Sequence, residues 1–158
     1  MTETKKRHKR KPGNIVEIKL TSGEFCYGRE LLYSGVIAFY DTKSRTRLRA
    51  EDVIGRAILF KLPVMDYAIK KAQWPIIGWR ELEPELMNPI AFFIQDPING
   101  EFSIYSDGGK IVPATPEEIV GLESASVWDP GHVEDRLRDY FLGVPNKWEV
   151  SLKPKLNS

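Results

Sequence analysis

Between Val16 and Val112 the apolar residues come in short runs, broken every few residues by glycine, proline, asparagine or serine. That spacing admits strands and leaves little room for long helices. Val16, Ile18 and Leu20 alternate with Glu17 and Lys19, the period of a strand with one face buried. Thr21-Ser22-Gly23 is a turn, and Phe25 to Leu32 returns as the second arm of an antiparallel hairpin. Gly28 sits inside that arm, where a glycine marks a bulge or the close approach of another backbone.

The same reading gives strands over Val36–Tyr40 and Val53–Leu62, with a loop over Asp41–Arg49 between them. Val64 to Ala72 has nearly helical spacing, and Trp74 to Leu82 is extended. Asn99-Gly100 separates Ala91–Gln95 from Glu101–Tyr105, a strong hairpin signal. Asp107-Gly108-Gly109 is a further turn, leading into Lys110-Ile111-Val112.

After residue 114 the pattern changes. Thr115-Pro116-Glu117-Glu118 carries a helix start with a capping box and predicts a short helix to about Leu122. Asp129-Pro130 repeats the start signal. Val133, Leu137, Tyr140 and Phe141 then form one apolar stripe, Gly143 suits the C-terminal cap, and Pro145 stops continuation. The expected fold is α+β: a bent, mainly antiparallel β-sheet, partly barrel-like, with C-terminal helices packed on it.

Charge divides the chain unevenly. Residues 1–11 hold six Lys/Arg and one acid, so against a net charge of +1 the remainder stands at −4. Residues 1–11 are therefore expected to be a disordered basic arm, and 12–158 a single domain. The arm has no interleaved aromatic residue, which argues against nucleic acid as the partner. No apolar run approaches the ~20 residues of a membrane helix. One cysteine, Cys26, fits a reducing compartment, and the expected location is cytoplasmic.

Catalytic chemistry is poorly provided for. The histidines are His8 and His132, and a hydrolytic zinc site takes three protein ligands. No metal and no cofactor is expected. A Cys26–His132 dyad has no local support, since Cys26 alternates with Phe25 and Tyr27 in a strand. Neighbouring acids such as Glu134 and Asp135 point about 100° apart on a helix, and no glycine-rich phosphate loop occurs. The expectation is no enzyme and no catalytic residues.

Two features suit a binder. Glu81, Glu83 and Glu85 alternate, and on an extended chain they share one face that attracts a basic partner. Aromatic residues beside turns, Trp79 and Trp128 among them, supply candidate interface anchors.

Lys11-Pro12-Gly13-Asn14-Ile15-Val16-Glu17-Ile18, followed by Phe25-Cys26-Tyr27-Gly28-Arg29, resembles the opening of Immunity protein 26 domains. Ala125 to Leu137 and Pro145-Asn146-Lys147-Trp148 are similar to that family's closing segment. Asn14 stands where the family more often has Asp, and Cys26 where it has a small residue. The resemblance implies an immunity protein of a bacterial polymorphic toxin system that neutralises a cognate protein toxin by stoichiometric binding. Glu81, Glu83, Glu85, Trp79 and Trp128 would be its contact residues, and Gly13, Gly28, Trp128, Arg136 and Leu137 would keep the fold. Some relatives carry a phosphotriesterase label, so a phosphotriesterase-like hydrolase is the alternative, with His132 as its testable residue.

Overall fold

The computed structural model describes residues 9–33, 35–106 and 109–156. Most of the expected basic arm, residues 1–8, and the turn residues Asp107 and Gly108 lie outside them. The fold is α+β, built on two open sheets.

The first sheet has five antiparallel strands in the order β4-β3-β2-β1-β5. They are β1 (Asn14–Lys19), β2 (Phe25–Glu30), β3 (Val36–Ser44), β4 (Ile58–Pro63) and β5 (Ile76–Trp79). The second sheet runs β8-β7-β6-β9, from β6 (Phe92–Gln95), β7 (Phe102–Ser106), β8 (Lys110–Ala114) and β9 (Glu123–Ser124). Its β6–β9 pair is parallel. Neither sheet closes into a barrel.

One face of the first sheet carries Val16, Ile18, Cys26, Ile37, Phe39 and Leu62, and packs against Trp74, Trp128, Val133 and Leu137. Val133 and Leu137 belong to α3 (Pro130–Leu142), the one long helix among the described residues. Its start is set by Asp129, whose side chain accepts from the Gly131 N–H, and its end by Gly143 at φ 72°. A five-residue helix, α4 (Lys147–Ser151), follows.

β1 was expected to be half-buried, and the structure corrects this. Ile15 and Glu17 on its other face are also covered, at 0% and 5% exposure. Ile15 packs there with Phe25, Tyr27, Tyr40 and Val53 beneath the chain leaving β3. Glu17 is paired there with Arg47 at 3.2 Å.

Several boundaries differ from the sequence reading. The expected loop 41–49 begins as strand, since β3 runs to Ser44. Val53 ends a short helix, α1 (Ala50–Val53), and does not open β4. The predicted helix 64–72 shrinks to α2 (Tyr67–Lys70), because Ala72 turns to φ 56° and Trp74 must enter the core. The capping box at Thr115 forms as expected, with Thr115 N–H donating to Glu118 and Glu118 N–H to the Thr115 hydroxyl. No helix follows it. The segment is a run of turns, and Gly121 at φ 83° sends the chain back to β9. Asn99-Gly100 does form its hairpin, closed by Asp96 Oδ1 accepting from Ile98 and Asn99 N–H.

Gly28 is both a bulge and a close approach. The β2–β3 register shifts between Cys26 and Gly28. A Cβ there would stand 2.9 Å from Ile37 Cγ2 and 3.2 Å from Val16 Cγ2. Gly28→Ala is expected to destabilise the fold by about 1–3 kcal/mol through overpacking, read as a lower urea midpoint at unchanged slope.

Candidate functional site

Arg29 is the largest charged group in the interior, with 0% exposure. Its place on β2 aims it across β1 at the chain that follows β5. Nε donates to Gly13 O at 2.8 Å. One terminal nitrogen donates to the Tyr40 hydroxyl at 3.2 Å and to the Glu83 carboxylate at 3.1 and 3.2 Å. The other donates to Arg80 O at 2.6 Å and Glu81 O at 3.2 Å. A guanidinium has five N–H donors in a rigid fork, and these acceptors use all three of its nitrogens. Arg29 therefore has no donor left for a substrate. It clamps residues 80–83 onto the start of β1.

Gly13 makes the clamp possible. It sits at φ 99°, and a Cβ there would fall 2.3 Å from Arg80 O and 2.7 Å from Trp79 Nε1. Trp79 lies over this junction: its indole N–H donates to Pro12 O at 2.8 Å, and Lys11 Nζ stands 4.1 Å above the ring. The indole remains 49% exposed. Burial pushes the Tyr40 phenol above its usual range, partly offset by the Arg29 hydrogen bond, so it stays protonated at neutral pH.

The proposed acidic stripe is thus divided. Glu81 and Glu85 are exposed, while Glu83 turns inward to Arg29. The alternation lasts only to Glu83, because Pro84–Met87 winds into a 3-10 turn. Trp79 stands beside Glu81, whereas Trp128 lies in the core at 4% exposure and has no face to offer a partner.

Residues 9–11, assigned from sequence to the arm, are attached to the domain. Arg10 pairs with Glu30 at 2.9 Å and also meets Asp66. Glu30 further accepts from Asn14 Nδ2 at 2.6 Å. The buried acid Glu30 that anchors residues 10 and 11 was not legible in the sequence.

The residues weighed for catalysis are otherwise employed. Burial pushes the Cys26 thiol up to about 12, so it packs as a protonated apolar group. His132 stacks on Trp148 with ring centroids 3.6 Å apart. No group of three or more metal-ligating side chains is brought together among the described residues. The α3 charges also have partners within the domain. Glu134 accepts from Trp74 Nε1, Asp135 from Trp148 Nε1, and Asp139 from Asn146 Nδ2. Arg136 pairs with Glu123 at 2.8 Å and Glu149 at 3.1 Å, and lies 4.0 Å from the Phe60 ring centroid.

A family model, Immunity protein 26, matches residues 11–104, more than half of the chain. The chain belongs to the Immunity protein 26 family. No curated protein and no solved structure matches it. The matched span of the Immunity protein 26 domain runs from the anchored Lys11 through the Arg29 clamp to the first two strands of the second sheet. The similarity noted at 125–148 lies beyond it. Of the residues expected to keep the fold, Trp128, Arg136 and Leu137 are buried, and Gly13 and Gly28 stand in contact too tight for a side chain.

Asp129 caps α3 while accepting from the Tyr67 hydroxyl, which with the Gly131 N–H holds its carboxyl below the usual range. A depressed folded-state pKa stabilises the fold above the unfolded value and loses that contribution as pH falls through the folded one. Tyr67→Phe should raise the Asp129 pKa toward its ordinary value and move the acid-unfolding midpoint to higher pH. Side-chain NMR titration and unfolding monitored by circular dichroism check the two halves.

Proposed function

We propose that this protein neutralises a cognate bacterial toxin by stoichiometric binding, in the cytoplasm and without turnover. Family membership supports immunity as the role. The observation that carries the binding surface is Trp79: a half-exposed indole fixed by a hydrogen bond on a segment that a buried arginine holds in place. Binding energy concentrates on large aromatic side chains that lose little freedom on association. Glu81 and Glu85 flank it with exposed negative charge, which draws a basic surface and quickens its capture. Glu83 supports this face from beneath, and Trp128 supports the core.

The hydrolase alternative gains no observation in its favour. Its one testable residue, His132, is stacked on Trp148.

The test is to mix the purified chain with the toxin module encoded beside its gene. A one-to-one complex on size-exclusion chromatography and loss of toxin activity are expected. Glu81→Lys with Glu85→Lys should leave the melting temperature nearly unchanged, slow association about tenfold or more at low salt, and flatten its salt dependence. Trp79→Ala should raise the dissociation constant by about 30-fold or more, a loss of ~2 kcal/mol. A tight complex indifferent to all three substitutions would move the interface elsewhere, and no complex with an undiminished toxin would end the reading.

A further inference from the structure

Lys11 and Trp79 meet on the outer surface, and the two halves of the contact are held differently. The indole is fixed. Its N–H donates to Pro12 O at 2.8 Å, and Gly13 lies so close that a Cβ there would stand 2.7 Å from Nε1. Trp79 nevertheless stays half-exposed. The Lys11 main chain is also tied down, since its N–H donates to the Glu30 carboxylate at 3.2 Å. The Lys11 side chain is exposed, and its ammonium stands 4.1 Å from the Trp79 ring centroid, over the ring. An ammonium over an indole is attracted by the electron-rich face, weakly where both groups remain in water.

A rigid, wet indole face that already carries a cation is a socket for one. The Lys11 ammonium marks where a cation sits, and it can leave readily because it hangs on a flexible four-carbon stem. The surrounding charge favours its exchange for a cation from outside. Arg80, Glu81 and Glu85 are exposed on the segment after β5 and sum to −1, so displacing Lys11 leaves the socket beside net negative charge. An arginine suits the position better than the lysine it would replace. Its guanidinium is planar, stacks on aromatic faces and is more weakly hydrated than an ammonium.

We propose that Trp79 is a socket for an arginine side chain of the protein's partner, with Lys11 as its occupant in the free chain. On binding, the arginine takes the indole face and the Lys11 side chain swings into water. This rests on the toxin reading and adds to it the residue type that the toxin presents. The roles on the face then divide. Trp79 recognises one side chain, while Glu81 and Glu85 attract the basic surface around it.

The probe is the toxin module encoded beside the gene, titrated calorimetrically into the full chain at physiological salt, where screening confines charge effects to about 8 Å. Lys11→Met removes the resident cation and keeps an apolar stem. It should tighten binding about threefold at nearly unchanged melting temperature. Lys9→Met removes an equal charge from another exposed position and should leave the affinity within about 1.5-fold of wild type. Each toxin arginine is then replaced by methionine in turn. One replacement should weaken binding about tenfold or more and erase the gain from Lys11→Met. Against Trp79→Leu, that same replacement should cost little further affinity. No gain from Lys11→Met, an equal gain from Lys9→Met, or a gain that survives every arginine replacement would overturn the socket and leave toxin neutralisation standing. No complex with the wild-type chain would remove both.

Discussion

A guanidinium with no solvent exposure is tolerable only where every donor is answered, and Arg29 is the group on which this fold turns. Its acceptors come from three separate stretches: Gly13 before β1, Tyr40 in β3, and the segment after β5, which gives the carbonyls of Arg80 and Glu81 and the carboxylate of Glu83. The β1–β5 pairing continues past Trp79 in the bond from the Arg80 N–H to Gly13 O at 3.3 Å, and the arginine adds its own bonds where the chain then leaves the sheet. The Arg80–Glu83 segment is thereby tied to the sheet while Glu81 keeps its side chain in water.

The same economy recurs in other charged groups of the protein. Glu30 and Glu17 are nearly fully buried and each meets an arginine, Arg10 and Arg47. Along α3 the acids bind indole, amide and guanidinium groups that fix the helix against Trp74, Asn146 and α4. Titratable groups so engaged hold shape. Trp79, by contrast, stands half-exposed among the exposed Glu81 and Glu85, which is why the proposed binding face is placed there.

Local signals in the sequence were accurate where local physics decides. The Asp129-Pro130 start, the Gly143 stop, the Asn99-Gly100 turn and the crowding at Gly28 all depend on neighbours a few residues away or on the strand next door. The Thr115 capping box is instructive, because its two hydrogen bonds form and still no helix follows. A cap saves a helix end only if packing rewards the turns beyond it, and here Gly121 diverts the chain to pair β9 with β6. Long-range contacts were hidden. Glu17 reads as an outward residue until it is buried and paired with Arg47, and Glu83 reads as part of a stripe until Arg29 draws it in. Nothing near Gln95 in sequence announces a partner sixty positions away.

If Arg29 is what turns a departing loop into a rigid edge, the loop's own amides should report it. Hydrogen exchange of the full chain, compared with Arg29→Lys, measures this at the Arg80 amide, which donates to Gly13 O, and the Leu86 amide, which donates to Glu83 O. Lysine keeps the charge but lacks the fork that reaches several acceptors at once. Loss of protection at both amides, with the β2 amides of Tyr27 and Gly28 still protected, is the expected result. Unchanged protection at Arg80 and Leu86 would show that the edge stands without its arginine and would contradict this account.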